Sequence, residues 1–453
     1  MKHHAKRSTF SGSVGFVLAA AGSAVGLGNL WRFPYLAAKY GGGIFLLIYV
    51  IFAVTFGFTL MVTEIAMGRK TRQSPMEAFK TLNNKWGWLG ALTTLVPILI
   101  LPYYCVIGGW VLKYSFTMLT GAVSQAAGEN YFANFISQPI EPVIWFVIYA
   151  TATAVIIFLG VNKGIEKLSR FLMPILLILT IGLTIFVVTR DGALDGVIYY
   201  LKPDFSKLSI KTVLAALGQL FFSMSLAMGI MVTYGSYVKK EDHIERSTRQ
   251  IEIFDTVIAF LAGLMIVPAV FVYSGGDESA LGQGPSLMFD TLPKVFNGMD
   301  FGSVVGSAFF ILVLFAALTS SVSVMEAIVA GITDKYKMSR KKATLLVYVY
   351  TLLIGVFCAL GFSVWSNFTI MGFGILDFLD FISNSVLMPI VGMMTCIMVG
   401  FIIKPKTITD EIELNGPFKV KGFYNVMVKW IAPICIFAIL VSSVLNTLGI
   451  VTI

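Results

Sequence analysis

The stretch Ala21-Gly22-Ser23-Ala24-Val25-Gly26-Leu27-Gly28-Asn29-Leu30-Trp31-Arg32-Phe33-Pro34 lies inside the first long apolar segment and reads as a poor helix where a membrane helix is expected. Three glycines within seven residues favour non-helical backbone. In a bilayer, freed N–H and C=O groups are tolerated only where protein or a water-filled cavity receives them. Half a chain later, Phe221-Phe222-Ser223-Met224-Ser225-Leu226-Ala227-Met228-Gly229 is interrupted in the same way. Paired interruptions in corresponding positions of two halves point to a secondary transporter with its site near the membrane midplane. Gly22-x-x-x-Gly26 on its own reads equally as a small-residue packing face. Asn29 and Arg32, just beyond it, weigh towards a site, because polar and ionisable residues are costly within a membrane.

The composition agrees. A chain of 453 residues that is 57% hydrophobic and 13% charged, with mean hydropathy +0.85, is a polytopic all-α integral membrane protein rather than a soluble one. The formal net charge of +9 does not mark a nucleic-acid partner, since the basic residues fall in short clusters between apolar segments, the pattern that sets orientation in a membrane. Cys105, Cys358, Cys396 and Cys435 all fall in apolar runs without C-x-x-C spacing, and read as packing residues rather than disulfides or metal ligands. The basic, polar start of the chain is not followed by a small-residue cleavage site, so it is not read as a removable signal peptide.

Taking about 20 apolar residues per crossing, the chain holds eleven spans, at roughly 12–37, 43–68, 88–120, 143–160, 165–189, 212–238, 246–274, 303–334, 342–362, 370–402 and 424–449. Basic clusters precede the first span and follow the even-numbered ones, among them Arg69, Lys70 and Arg72 after the second. The stretches 121–142 and 361–374 have no Lys or Arg. That asymmetry predicts a cytoplasmic N-terminus and, after an odd number of spans, an external C-terminus, in the plasma membrane. The segment 190–211, where Arg190, Lys202, Lys207 and Lys211 mix with acids, weakens the pattern without reversing it. Gly41-Gly42-Gly43 marks a sharp re-entry after span 1. The Gly275-Gly276 to Pro285 stretch is a candidate lid, and Gly164 and Pro174 weaken span 5.

No hydrolase, zinc-protease, phosphate-loop or dinucleotide motif occurs, and His3, His4 and His243 lie at the terminus or beside a basic loop, so the chain does not read as an enzyme. The spans instead carry oxygen: Asn29, Ser223, Ser225, Asp255, Thr319, Ser320 and Ser321 supply the ligand type that hard cations prefer. Each hydroxyl taken singly is equally explained by a bond to its own i−4 carbonyl; three in a row at 319–321 are less easily so explained. Glu64, Asp255, Arg32 and Asp380 are ionisable residues within or at the ends of spans; for Arg32 and Asp380 the plain alternative is snorkelling at the interface.

Four separated stretches carry a resemblance: GSAVGLGNLWRFP (22–34), GGGIFLLIY (41–49) with MVTEIAMGR (61–69), GQLFFSMSLAMG (218–229) running into TYGSY (233–237), and ALTSSVSVMEAI (317–328). In this order they resemble the neurotransmitter:sodium symporter family, in its bacterial amino-acid branch, over nearly the whole chain. The resemblance implies the leucine-transporter fold as a single domain over 1–453. Two inverted five-helix repeats would lie at roughly 12–189 and 212–402, with discontinuous helices 1 and 6 and an extra helix at roughly 424–449.

The resemblance also implies roles. Sodium site one would comprise Ala24, Asn29, Ser223 and Asp255, and sodium site two Gly22, Val25, Ala316, Thr319 and Ser320. An amino-acid substrate would have its amino group at Ala24, Phe222, Ser223 and Ser225, and its carboxylate at Leu27, Gly28 and Tyr104, with Ser320 nearby. Ile100, Met228 and Val324 would form an apolar side-chain pocket. Arg32 with Asp380 would be an outer gate, and Arg7 with Asp334, near Ser236 and Tyr237, an inner one. Half-helix ends suit this arrangement, N-termini facing the anion and C-termini the cation. Four positions depart from the family pattern: Phe10 replaces a usual Trp, Ala227 a usual Gly and Met228 an aromatic residue, while Asp255 replaces a usual Asn, with Ala259 one turn on where an acid can stand. Gly164 and Pro174 match a Gly-x9-Pro arrangement associated with local unwinding in relatives.

These readings define a sodium-coupled importer of a neutral apolar or aromatic amino acid, working by alternating access without chloride. The alternative from another class is an ion channel lined by the same intramembrane oxygens. The partners are the amino acid, two sodium ions and the lipid bilayer, with no nucleic acid, and the oligomeric state is left open.

Overall fold

The structure is a computed structural model describing residues 7–275 and 285–447. The candidate lid between Gly275 and Pro285, the histidines at positions 3 and 4, and the last six residues fall outside the described residues apart from the lid's two ends. Among the described residues the molecule is helical, its only extended pairings being the isolated bridges Gly42 to Pro203 and Ile370 to Phe373.

Among the described residues nine helices are long and apolar enough to cross a membrane: Gly43–Thr71, Asn84–Leu119, Glu141–Phe158, Val161–Val188, Ile244–Ser274, Gly302–Tyr336, Arg340–Leu360, Ile375–Ile402 and Lys421–Asn446. They correspond to spans 2 to 5 and 7 to 11. Span 1 is a pair, Ser13–Ala24 and Gly28–Lys39, bent by 54° at its break. Span 6 is a helix Ile210–Ser223 and a short turn Ile230–Gly235 separated by an irregular segment. Both breaks fall where the glycine-rich stretches interrupt the apolar pattern. At the first, Val25 turns to φ −71° and ψ 101°. At the second, Ser225, Ala227 and Gly229 take φ of 53°, 59° and 75°, the left-handed region that only glycine enters freely.

The two breaks lie side by side. Ser225 Oγ donates to the Ser23 carbonyl at 3.0 Å, and Gln219 Nε2 to the Gly28 carbonyl at 3.0 Å. A Cβ on Gly28 would stand 2.8 Å from the Phe222 ring, so this glycine is what lets the two chains approach. Span 1 is held between spans 5, 7 and 8, and span 8 packs along span 3. Large apolar side chains such as Phe171, Ile178 and Ile434 project outward from the bundle, as lipid-facing residues do.

Two positions read from the sequence take on more definite settings. Arg69, counted above among the basic residues after span 2, is completely buried and paired with Glu411 at 2.8 Å. Such a charge needs a partner because desolvation without one costs several kcal/mol, on the order of 3–5 when the pair is broken. Span 5 runs as continuous helix through Pro174, its irregularity being a wide π turn over Val161–Glu166 that contains Gly164. Proline removes one backbone donor there without ending the helix, as neighbouring spans permit in membranes.

Candidate functional site

Between the breaks and span 3 lies a cavity of about 80 Å³. Ala24, Leu27, Gly28, Ile100, Tyr104, Phe222, Ser223, Ser225, Met228, Ser320 and Val324 all line it, with Asn29 and Asp380. Ser23, Gly26, Trp31, Tyr103 and Ile107 complete the wall and were not singled out from the sequence. One of them was within reach: Ile100, Tyr104 and Ile107 repeat at i, i+4 and i+7, a helical stripe that extends to Ile107. Gly26 faces the same space, for a Cβ there would lie 2.9 Å from Ser320 Oγ and 3.3 Å from the Tyr104 hydroxyl. Ala227 does not line the cavity; its N–H donates to Glu64 Oε1 at 2.7 Å, fixing the left-handed segment to span 2.

The wall's composition separates into an oxygen-rich floor and an apolar side. Tyr104 is the informative group on the floor: its buried hydroxyl lies beside the Leu27 amide and Ser320 yet completes no hydrogen bond. A buried polar group without a partner costs about 1–3 kcal/mol. A ligand acceptor, such as a carboxylate oxygen, would relieve it.

Beneath the cavity, Asp255 is fully buried. It accepts from Asn29 Nδ2 at 2.8 Å, Ser223 Oγ at 3.2 Å and the Tyr49 hydroxyl at 3.4 Å. Asn29 is oriented in turn by its Oδ1, which accepts from Gly26 N–H at 3.0 Å. All the donors to Asp255 are neutral, and among the described residues no cationic side chain pairs with it. A carboxylate in that position calls for a cation.

A second oxygen cluster joins spans 1 and 8. Ser320 Oγ lies 3.4 Å from the Gly22 carbonyl, 3.2 Å from Ser23 and 3.3 Å from Val25. Thr319 Oγ1 is 3.1 Å from the Ala316 carbonyl, and its Cβ would stand 3.2 Å from one built on Gly22. One hydroxyl proton cannot serve three carbonyls at once, so the cluster has acceptor capacity in excess, which a hard cation satisfies. Met173, next to Pro174 in span 5, packs against Gly22 on the far side. Among the described residues no group of three His, Cys, Asp or Glu is placed to hold a metal; the cation donors here are neutral oxygens and one carboxylate.

The two ends of the molecule differ. At one, Arg7 Nη1 pairs with Asp334 at 2.5 Å, its Nε donates to Ser236 Oγ at 2.9 Å, and its guanidinium lies 5.0 Å from the Tyr237 ring centre. Tyr237 donates to the buried Glu326 at 2.6 Å, which also pairs with Arg340. Phe10 packs in the same closure against Tyr234 and Tyr237. Ser11 and Asn162 both donate to Glu166 in the π turn of span 5, tying the N-terminal segment to that span. At the other end Arg32 is exposed and stacks over Phe222 at 5.3 Å. It forms no ion pair with Asp380, which accepts instead from Asn384 Nδ2 at 2.6 Å. One end is thus tied by ion pairs, while at the other Arg32 and Asp380 are not paired with each other.

Broken helices around a midplane cavity, oxygen clusters fit for cations and two differently paired ends define a multi-pass membrane transporter rather than an enzyme. The chain belongs to the sodium:neurotransmitter symporter family, whose model matches residues 7–139 and 136–450. It is 35% identical over 454 residues, 98% of each chain, to an uncharacterized sodium-dependent transporter of Bacillus subtilis named YhdH. It is 26% identical over 402 residues to the mouse sodium- and chloride-dependent GABA transporter 2, covering 78% of this chain and 67% of that one. Among solved structures, MhsT in complex with L-phenylalanine superposes with a TM-score of 0.87 at 37% identity, covering 96% of this chain and all of the other. The fold is therefore the leucine-transporter fold of this family, and sodium is the ion to which its transport is coupled.

Proposed function

We propose that the protein imports a neutral apolar or aromatic L-amino acid across the plasma membrane with two sodium ions, by alternating access and without chloride. The observation that carries the amino-acid reading is the unpartnered Tyr104 hydroxyl facing a cavity whose far wall is Ile100, Met228 and Val324. A carboxylate would accept from Tyr104 and from the amides near Gly28, an ammonium would meet carbonyls and Ser225 at the breaks, and an apolar side chain would fill the remainder. The relative solved with L-phenylalanine supports that substrate class. Met228 offers a deformable thioether wall, so several apolar shapes fit, whereas a charged side chain would be buried without a partner at a cost of several kcal/mol.

In this reading the cation at Asp255 and the substrate share a border through Ala24 and Ser223, so each stabilises the other's site, and the Ser320 cluster couples spans 1 and 8. In this reading the Arg7 end, beside the basic clusters, is cytoplasmic, and its ion pairs belong to the inner gate. The five-helix repeats would rock between the two states around the breaks.

The test is a thermal-shift screen of the purified protein against the twenty amino acids in sodium and in potassium. Ligand binding raises the unfolding temperature by mass action. Shifts by apolar and aromatic amino acids in sodium alone are expected. A response to glutamate or lysine, or one indifferent to sodium, would refute the reading.

A further inference from the structure

Span 10 contains a π-helical stretch, Phe381–Leu387, directly after Asp380. It carries Asn384 beside Asp380 and against Tyr103 of span 3. The Asn384 Nδ2 donates to Asp380 Oδ1 at 2.6 Å and to the Tyr103 hydroxyl at 3.0 Å. Tyr103 also meets Ser383 Oγ at 3.4 Å. The amide orientation follows from chemistry, because an ionised carboxylate only accepts, so nitrogen must face it. Both hydrogens of the amide are then committed, and its buried Oδ1 is left with no donor. Asp380 and Tyr103 both line the cavity, while Arg32, the cation on the facing side of the mouth, rests on Phe222.

We propose that Asn384 is a positioning residue of the outer gate, fixing the Asp380 carboxylate against Tyr103 so that it receives Arg32 when the mouth closes. This rests on the alternating-access reading above. Closing a gate between two long side chains loses rotamer freedom, and an acceptor already held in place loses less of it. Asp380 is held by a residue of its own helix bonded to a second helix, which is what a preorganised acceptor requires.

The experiment measures how fast a cysteine placed at Ile107, on the cavity wall one turn outward of Tyr103, reacts with uncharged hydroxyethyl methanethiosulfonate. The full chain is used, purified and monodisperse, with its four native cysteines replaced by alanine. In potassium the outer gate of the parent closes and labelling is slow; in sodium it is fast. Asn384→Ala is expected to raise the potassium rate three- to tenfold. The similarly sized Asn384→Leu, which has no donor at all, is expected to raise it at least as much. In an Asp380→Ala background, where no carboxylate remains to be positioned, Asn384→Ala is expected to change nothing further. An unchanged or lower rate in both Asn384 variants overturns the proposal alone, as does an equal rise in the Asp380→Ala background, the mark of a merely structural role. A parent labelled at one rate in both media has no closing outer gate, and overturns the proposal together with the alternating-access reading.

Discussion

Asn29 and Asp255 meet at 2.8 Å with both side chains fully buried, the amide nitrogen donating to the carboxylate. The pair places a carboxylate beside the oxygens of the first break; the mouse relative, by its name, is chloride-dependent. With the charge built in, uptake into proteoliposomes is expected to be unaffected when gluconate replaces chloride. Asp255→Ser is expected to lose at least tenfold in chloride-free medium and to recover with chloride. A chloride requirement in the unaltered protein, or full chloride-free activity in Asp255→Ser and Asp255→Asn alike, would remove Asp255 from this role.

Three carbonyls around one hydroxyl at Ser320, with Thr319 alongside, make the second cluster the point at which spans 1 and 8 are tied. Thr319→Ala with Ser320→Ala removes two oxygens and leaves the carbonyls facing each other. Sodium-driven uptake is expected to fall more than tenfold while expression and monodispersity are kept. Sodium dependence measured over a concentration series checks it, and an unchanged curve would sink the assignment.

Ala227 sits at φ 59° with its N–H held by Glu64, off the cavity wall. A left-handed alanine is strained by about 1–2 kcal/mol, which glycine relieves while adding backbone freedom. Ala227→Gly is therefore expected to speed hydrogen exchange across 224–229 and to leave the ranking of apolar amino acids unchanged within about twofold, since a methyl group that lined the pocket would shift ranking by roughly 10-fold or more. Competition uptake with leucine, phenylalanine and tryptophan decides it: a reordering towards tryptophan would show that the methyl group shapes the pocket after all.

The inner closure depends on Arg7, which alone joins Asp334, Ser236 and Tyr237. Arg7→Ala is expected to shift the protein towards the inward-open state, raising the labelling rate of a cysteine placed at Ser236 about tenfold, equivalent to roughly 1.4 kcal/mol. Arg7→Lys is expected to recover only part of this, because an ammonium cannot reproduce the guanidinium's planar set of bonds. A Ser236 cysteine that stays unreactive in Arg7→Ala would assign the closure to Phe10 and Glu326 instead.

The breaks and the cavity were legible because they depend on local signals: glycines clustered within apolar runs, and oxygens where the pattern offers none. The residues that line the cavity were placed by motif, and Ile107 was readable from its helical stripe. Tyr103, Ser23 and Trp31 were not, since each lies beside a chosen residue and only the relative rotation of packed helices brings it to the wall. Ala227 was readable only as a departure from a usual Gly, and its φ and its bond to Glu64 place it off the cavity wall. Arg69 was read only as part of the basic cluster after span 2, and its burial could not be read from charge counting along the chain. Its burial depends on Glu411, 342 residues away, and no local pattern records that pairing.

That separation also orders the birth of the molecule. Arg69 leaves the ribosome long before its acid exists: at about 5–20 residues per second, the 342 residues between them take roughly 17 to 70 seconds to make. Through that interval the second span must keep its end in water or borrow a carboxylate elsewhere. The Arg69–Glu411 tie is therefore made only after the tenth span has been delivered. A nascent chain halted before Glu411 should be bound by quality control at Arg69, however complete its first nine spans are.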